Sequence, residues 1–469
     1  MAPNEDIHYK TIFDLAPLIQ ARKLSAVELT TAQLERIERL DPVLKSFATV
    51  TADLALQQAR IADEQIANSG YLGPLHGIPV AVKDLCNTAG IRTMGGSSVF
   101  ADNVPDQDAT VVTKLHEAGA VLLGKLNMTE GAMGGYNPKF SVPENPWRRS
   151  YFAGASSSGS GSATAAGLAF GTLGSDTGGS IRHPAAVCGV VGIKPTWGRV
   201  SRHGVMNLAE SLDHVGPLAR SALDAGILLE AISGSDANDP TSLPQAVPDM
   251  LTDADNGVRG IKIGWDEDYS GTDIEPSFAK AVEKSVRIME QEGAEIVQVN
   301  MPDTLREAMS VWPTICSSEA AAAHRETYPS KASEYGPFFR EWLESGLRHS
   351  SSDYVGAHHR RLAFNGELRK TMRGIDVLAC PTTSKASYPV TPEILFGPIP
   401  SNRDPWDGRY TVPFDFSGLP TICLPCGFDQ NGMPVSIQFA GHHLSESLLV
   451  RIGNSFEEAT DFHNMHPPI

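Results

Sequence analysis

Between Ser25 and Leu40, apolar side chains recur at helical intervals at Leu29, Leu34, Ile37 and Leu40, and Ser25 and Glu28 stand at capping-box spacing. A shorter helical signal runs from Thr11 to Ile19, so residues 1–65 form a helical lead-in. The pattern then changes period. GPLHGIPVAVKD is a short apolar run bounded by Gly and Pro, which predicts a strand with Lys83 at its C-terminal end. A helix follows from Ala109 to Ala118, and VLLGK restores a strand. Small residues dominate from Gly154 to Ala169, where Ala163 to Ala169 predicts a tightly packed helix or a buried crossing. Further on, GIKIGW, EIVQVN and DVLACP read as strands, with helices over Ser277–Glu292 and around Ala320 and Leu362.

Alternating strands and helices predict an α/β fold, with a mixed central sheet covered by helices on both faces. The chain divides into the lead-in, a core over 70–235 and a remainder over 261–469, all within one domain. Asp236–Gly260, rich in Pro, Asp and Asn, is the best linker candidate, although the elements on either side could share one sheet. Ser384–Tyr410, rich in Pro and Gly and carrying Trp406, is long enough to cover a site.

With 469 residues, 41% of them hydrophobic, the chain can bury a large core. Its 38 Lys and Arg against 55 Asp and Glu leave a formal net charge of −17, which repels nucleic acid and anionic membranes and points to a small, neutral or weakly charged partner. MAPNEDIHYK contains no signal-like apolar stretch and no later run reaches membrane-spanning length, so a cytoplasmic protein is expected. Six scattered Cys suit a reducing compartment. Cys423 and Cys426 form the one C-x-x-C, but Pro425 places the pair in an apolar, strand-like run, so they read as core residues rather than a zinc or redox site. No cofactor or metal is expected.

Three features carry candidate chemistry. The first is Lys83, which on its strand-end position alone could equally be a solvated lysine. Next comes GASSSGSGSA, from Gly154 to Ala163, which resembles a surface linker except that it runs directly into apolar AAGLAFGTLG. The third is GSDTGGSIRHPA, where Gly178 and Gly179 let successive N–H groups turn inward and form an oxyanion hole beside Ser180. GAVLLGKL, from Gly119 to Leu126, partly matches a phosphate loop but has Leu where Ser or Thr is needed. Neither Ser156 nor Ser180 sits in G-x-S-x-G, and His183 is too close in sequence to Ser180 to be an obvious triad base.

HGIPVAVKD, GASSSGSGSA and GSDTGGSIRHPAAVCGVVGIKPTWGRVSRHG together closely resemble the amidase signature family, which includes bacterial amidases, fatty-acid amide hydrolases and the A subunit of tRNA-dependent amidotransferases. The likeness continues through SLDHVGPLARS, YTVPFDFSGLPTICLPCGF and GMPVSIQFAG, and is weakest from residue 240 to 400. It implies that Lys83 is the base, Ser156 the bridging proton shuttle and Ser180 the nucleophile, with the N–H groups of Thr177, Gly178, Gly179 and Ser180 as oxyanion hole. It also implies a cis peptide before Ser156, where Ala155 replaces the usual Gly. A buried Lys83 with few carboxylates nearby would be neutral enough to act as a base, and Asp84 should point to the opposite face of the strand.

Candidate substrate-binding residues are Met128, Gly131, Met133, Gly134, Tyr136, Arg182, Trp406 and Phe414, with Trp147 also near the motifs. The methionines and aromatics favour an apolar or aryl group, so the expected activity is hydrolysis of a small linear, non-peptide amide, extending to esters, anilides or carbamates. Arg182 would approach a substrate carboxylate or orient the loop. Two alternatives stay open: the glutaminase component of a tRNA-dependent amidotransferase, its A subunit, and a catalytically silent binding protein on the same scaffold. Long helices with apolar faces leave a homodimer open.

Overall fold

The structure, a computed structural model, describes residues 5–469. Its centre is one sheet built from β1 (Phe47–Val50), β2 (Pro79–Lys83), β3 (Val121–Leu126), β4 (Gly171–Asp176), β5 (Val191–Lys194), β6 (His214–Ala219), β7 (Lys262–Trp265), β8 (Glu295–Gln298), β9 (Val377–Pro381), β10 (Thr421–Phe428) and β11 (Pro434–Gly441). Their spatial order is β1-β3-β2-β4-β6-β5-β10-β11-β9-β7-β8. Pairing is mixed: β2 runs parallel to β3 and β4, and β7 to β8 and β9, whereas the six pairs joining the remaining strands are antiparallel.

Both faces of the sheet are covered, and side-chain alternation shows it directly. Val80, Val82 and Leu122 pack into one apolar cluster while their neighbours Ala81, Val121 and Leu123 pack into another. This is why β2 and β3 read as unbroken apolar runs. The second cluster is closed by the helices Ala26–Leu44 and Ala52–Ala67, the first of which begins with the capping box expected at Ser25 and Glu28. The helix Ile12–Gln20, capped by Thr11, lies in the first cluster.

The run after Gly154 becomes the helix Ser158–Ala165, every residue of which is buried. Its small residues are required by backbone contact: a Cβ on Gly159 would stand 2.5 Å from the carbonyls of Ser46 and Asn127, and one on Gly154 would stand 2.4 Å from Pro184 Cα. Asp236–Gly260 has no helix or strand, yet it is fastened down, with Met250 and Val258 buried and Arg451 donating to the Gly257 carbonyl. Because β7 continues the same sheet through β9, the segment joins two parts of one sheet. GAVLLGKL forms the buried strand β3 rather than a phosphate cradle. The six cysteines are all free and buried, Cys423 and Cys426 within β10. Among the described residues no helix is long and apolar enough to cross a membrane.

Candidate active site

Lys83 ends β2 and is fully buried. Its Nζ donates to Ser156 Oγ at 2.6 Å and to Ser175 Oγ at 2.8 Å. Burial pushes its pKa down from 10.5 to about 7, only partly opposed by Cys86, Asp176 and Asp213. Asp84 turns the other way, accepting from Met94 N–H at 3.1 Å and facing Lys125 Nζ at 3.5 Å. The alternation of a strand thus keeps the adjacent carboxylate off the Lys83 ammonium.

Ser156 is held from three sides. The Ala155–Ser156 peptide is cis. The Ser156 carbonyl accepts from Thr129 N–H at 3.2 Å, and the next N–H, of Ser157, donates to the Ser180 carbonyl at 3.3 Å. This last bond makes the Ser156 and Ser180 segments immediate neighbours. Ser180 itself is half-buried.

The loop leading to Ser180 wraps around one carboxylate. Asp176, at the end of β4, accepts from Gly179 N–H at 2.6 Å through Oδ1 and from Ile181 N–H at 3.0 Å through Oδ2. The Arg182 guanidinium grips the same group, Nε to Oδ2 at 3.0 Å and Nη2 to Oδ1 at 2.9 Å. Burial alone would raise the Asp176 pKa, but the charge and hydrogen bonds of Arg182 outweigh it and hold the carboxyl ionised well below its ordinary range. Arg182 Nη2 also donates to Asp415 at 2.7 Å, and Nη1 to the Thr411 carbonyl at 2.9 Å and to Gln438 at 3.1 Å. The outer side of the loop is fixed by Thr177 Oγ1 donating to Asp213 at 2.6 Å, Trp312 Nε1 donating to the Thr177 carbonyl at 3.1 Å, and Thr411 Oγ1 donating to the Gly178 carbonyl at 2.7 Å. Gly179 has φ +126°, a conformation that side chains rarely adopt.

Lys83, Ser156 and the Ser180 loop therefore converge, while several other expected residues lie elsewhere. Arg182 is fully buried, and both Nη nitrogens and Nε are engaged by protein acceptors, which tie it to the loop. Phe414 is likewise fully buried in the main core and presents no surface to a ligand. The Gly179 N–H points at Asp176, which removes it from the oxyanion donors expected in sequence. Met128 and Met133 are almost wholly buried, and Tyr136 is too, its hydroxyl donating to Ser158 Oγ at 2.9 Å. Gly131 and Gly134 remain half-exposed beneath the rings of Phe339 and Phe338. Trp406 is half-buried between the Arg306 and Arg409 guanidinium groups, 4.3 and 5.3 Å from its ring centre. Trp147 donates to the Cys188 carbonyl at 2.7 Å, and its ring lies tilted against that of Phe428, 4.9 Å between centres. His183 donates its backbone N–H to the Gly179 carbonyl, and burial lowers its pKa to about 4.

Sequence reasoning passed over Ser175, Asp176, Trp312, Thr411, Asp415 and Gln438. Ser175 and Asp176 lie inside the quoted G-S-D-T-G-G-S run, so an acceptor for the loop's own N–H groups could have been sought there. Trp312 and Thr411 lie more than a hundred residues from the loop; nothing local marks Trp312, whereas Thr411 and Asp415 fall within the YTVPFDFSGLP run.

Residues 28–450 match the sequence signature of the Amidase family. AmiD of Mycobacterium tuberculosis is 44% identical over 467 residues, covering 97% of this chain and 95% of that protein. The A subunit of the glutamyl-tRNA(Gln) amidotransferase of Moorella thermoacetica is 38% identical, covering 99% of each. Among solved structures, the peptide amidase of Stenotrophomonas maltophilia superposes with a TM-score of 0.84 at 30% identity, covering 98% of both chains. Sequence and architecture agree over nearly the whole length, and the chain belongs to the amidase family.

Proposed function

We propose that this amidase-family hydrolase cleaves the carbon-nitrogen bond of a small amide through an acyl-enzyme on Ser180. The observation that carries this is the buried Lys83 Nζ at 2.6 Å from Ser156 Oγ, with the Ser156 segment bonded to that of Ser180. Neutral Lys83 accepts the Ser156 proton as Ser156 accepts that of Ser180, and the Ser180 oxygen attacks the carbonyl carbon. Negative charge on the carbonyl oxygen is met by the N–H groups of Thr177, Gly178 and Ser180, since that of Gly179 serves Asp176. Ser156 then passes its proton to the departing amine and is reprotonated by Lys83. Water releases the acid by the same relay in reverse.

Trp312 against the loop and the half-buried Phe338 ring over Gly134 and Gly135 support an apolar or aryl substituent, in an amide and by the same chemistry in an ester, anilide or carbamate. The similarity to the A subunit of an amidotransferase supports one other reading, a glutaminase that works with a second chain. The test is hydrolysis of anilides, aliphatic amides, carbamates and glutamine by purified protein. Ser180→Ala should lower turnover at least about a thousandfold, and Lys83→Ala should abolish the same activities. Retained turnover in Ser180→Ala would assign the nucleophile elsewhere, and glutamine cleavage only on adding a second protein would favour the amidotransferase.

A further inference from the structure

Above the Ser180 loop stands an aromatic wall. Trp312 touches the loop through its bond to Thr177, and its ring lies 5.8 Å from that of Trp342. Over this wall sits one cation from the Ser384–Tyr410 cover: Arg403 Cζ is 5.4 Å from the Trp342 ring centre and 5.6 Å from that of Phe338. Phe338 in turn covers Gly134 and Gly135. The same cover approaches the loop from a second direction. Lys385 and Asp407 both act electrostatically on His183, three residues past Ser180, and Tyr388 stacks at 5.2 Å on Phe152, four residues before Ser156.

The Arg403 side chain is exposed, and its guanidinium lies across the Trp342 and Phe338 rings. Among the described residues no carboxylate lies within ion-pair distance of it, and Asp407 acts on it only from further away. The chain carries 55 acidic residues to 38 basic ones. The long-range field of such a chain repels anions, so an anionic substrate would need a cation of this kind at the site. Guanidinium on an aromatic face keeps its edge N–H groups free for bidentate recognition of a carboxylate.

We infer that Arg403 is a specificity-determining residue, and that the substrate is an amide whose apolar body lies along Trp312 and Phe338 and ends in a carboxylate. The inference rests on the amide-hydrolase reading above. The test uses dicarboxylic acid monoanilides, from succinic to suberic, each paired with its neutral terminal carboxamide. Binding to the Ser180→Ala protein is measured by calorimetry, and turnover is measured with the unmodified protein. At least one acid in the series should bind about tenfold more tightly than its carboxamide. Arg403→Gln in the Ser180→Ala background should bring the pair within about twofold, and Arg403→Lys should restore part of the difference. Equal binding of acid and carboxamide throughout, no measurable binding of any acid at millimolar concentration, or a preference untouched by Arg403→Gln overturns the inference. An Arg403-dependent preference without turnover would instead overturn the hydrolase reading alone, and Ser180-dependent turnover without preference would overturn only the role of Arg403.

Discussion

The most direct consequence of the site is a pH dependence set by Lys83. The amine must be neutral to take a proton, so activity should rise with pH through its pKa. An ordinary lysine at 10.5 would be neutral in only about one molecule in 3,000 at pH 7. Burial brings the value to about 7, so about half the molecules are competent at that pH. The site thereby raises the active fraction on the order of a thousandfold, equivalent to about 5 kcal/mol of differential stabilisation of the neutral amine. For an uncharged anilide, kcat/KM should climb about tenfold from pH 6 to pH 8 and then level off. The assay is initial rate at substrate well below KM, in buffers of constant ionic strength, with Ser180→Ala as background. A flat profile between pH 6 and pH 8, or a rise that begins only above pH 9, would falsify the assignment of Lys83 as a neutral base.

Other consequences concern the supports of the site. The folded-state pKa of Lys83 lies below its unfolded value, so its burial is a penalty that is fully present below pH 7 and fades as pH approaches 10.5. Lys83→Met should therefore gain about 3 kcal/mol more stability at pH 6 than at pH 9, and urea unfolding at the two pH values with the same difference in both proteins would contradict this. Asp176→Asn leaves the buried Arg182 with a weakened partner and should cost about 3–5 kcal/mol, read as a lowered denaturation midpoint. Gly178→Ala places a methyl 2.7 Å from the Trp312 ring, so it should depress kcat with little loss of global stability, and unchanged kcat would mean the loop yields freely.

How much of this could be read in advance follows from the range of the interactions. Lys83, Ser156 and Ser180 sit in runs whose local composition is unusual, and the alternation on β2 was enough to turn Asp84 away from Lys83. Burial of the Ser-rich run was legible from the apolar stretch that follows it. For Arg182 the sequence leaves two roles open, and Phe414 reads as a pocket residue, because polarity and aromaticity alone do not say which way a side chain faces. Arg182 is turned inward by Asp415 and Gln438, both more than two hundred residues away in sequence, and Phe414 by the core around it. The Gly179 donor was misjudged for a local reason: Asp176 competes for its N–H, as a short carboxylate beside a turn commonly does.

That competition explains why so much charge is buried beside a reaction that needs a neutral amine. Aligning the N–H groups of an oxyanion hole requires a turn whose own polar groups are satisfied from one side, leaving the other side open. Asp176 supplies acceptors for Gly179, Ile181 and Arg182 on that inner side. A lone buried carboxylate would protonate, so it must be paired, and Arg182 is the partner that can also anchor β11 through Gln438 and the segment just after the cover through Thr411. Asp176 is one of the charges that raise the Lys83 pKa, and its attraction for the ammonium falls short of the desolvation that lowers it. The pair shapes the loop, while burial is what allows Lys83 to lose its proton near neutrality, and a substitution at Arg182 should disturb the geometry of the hole.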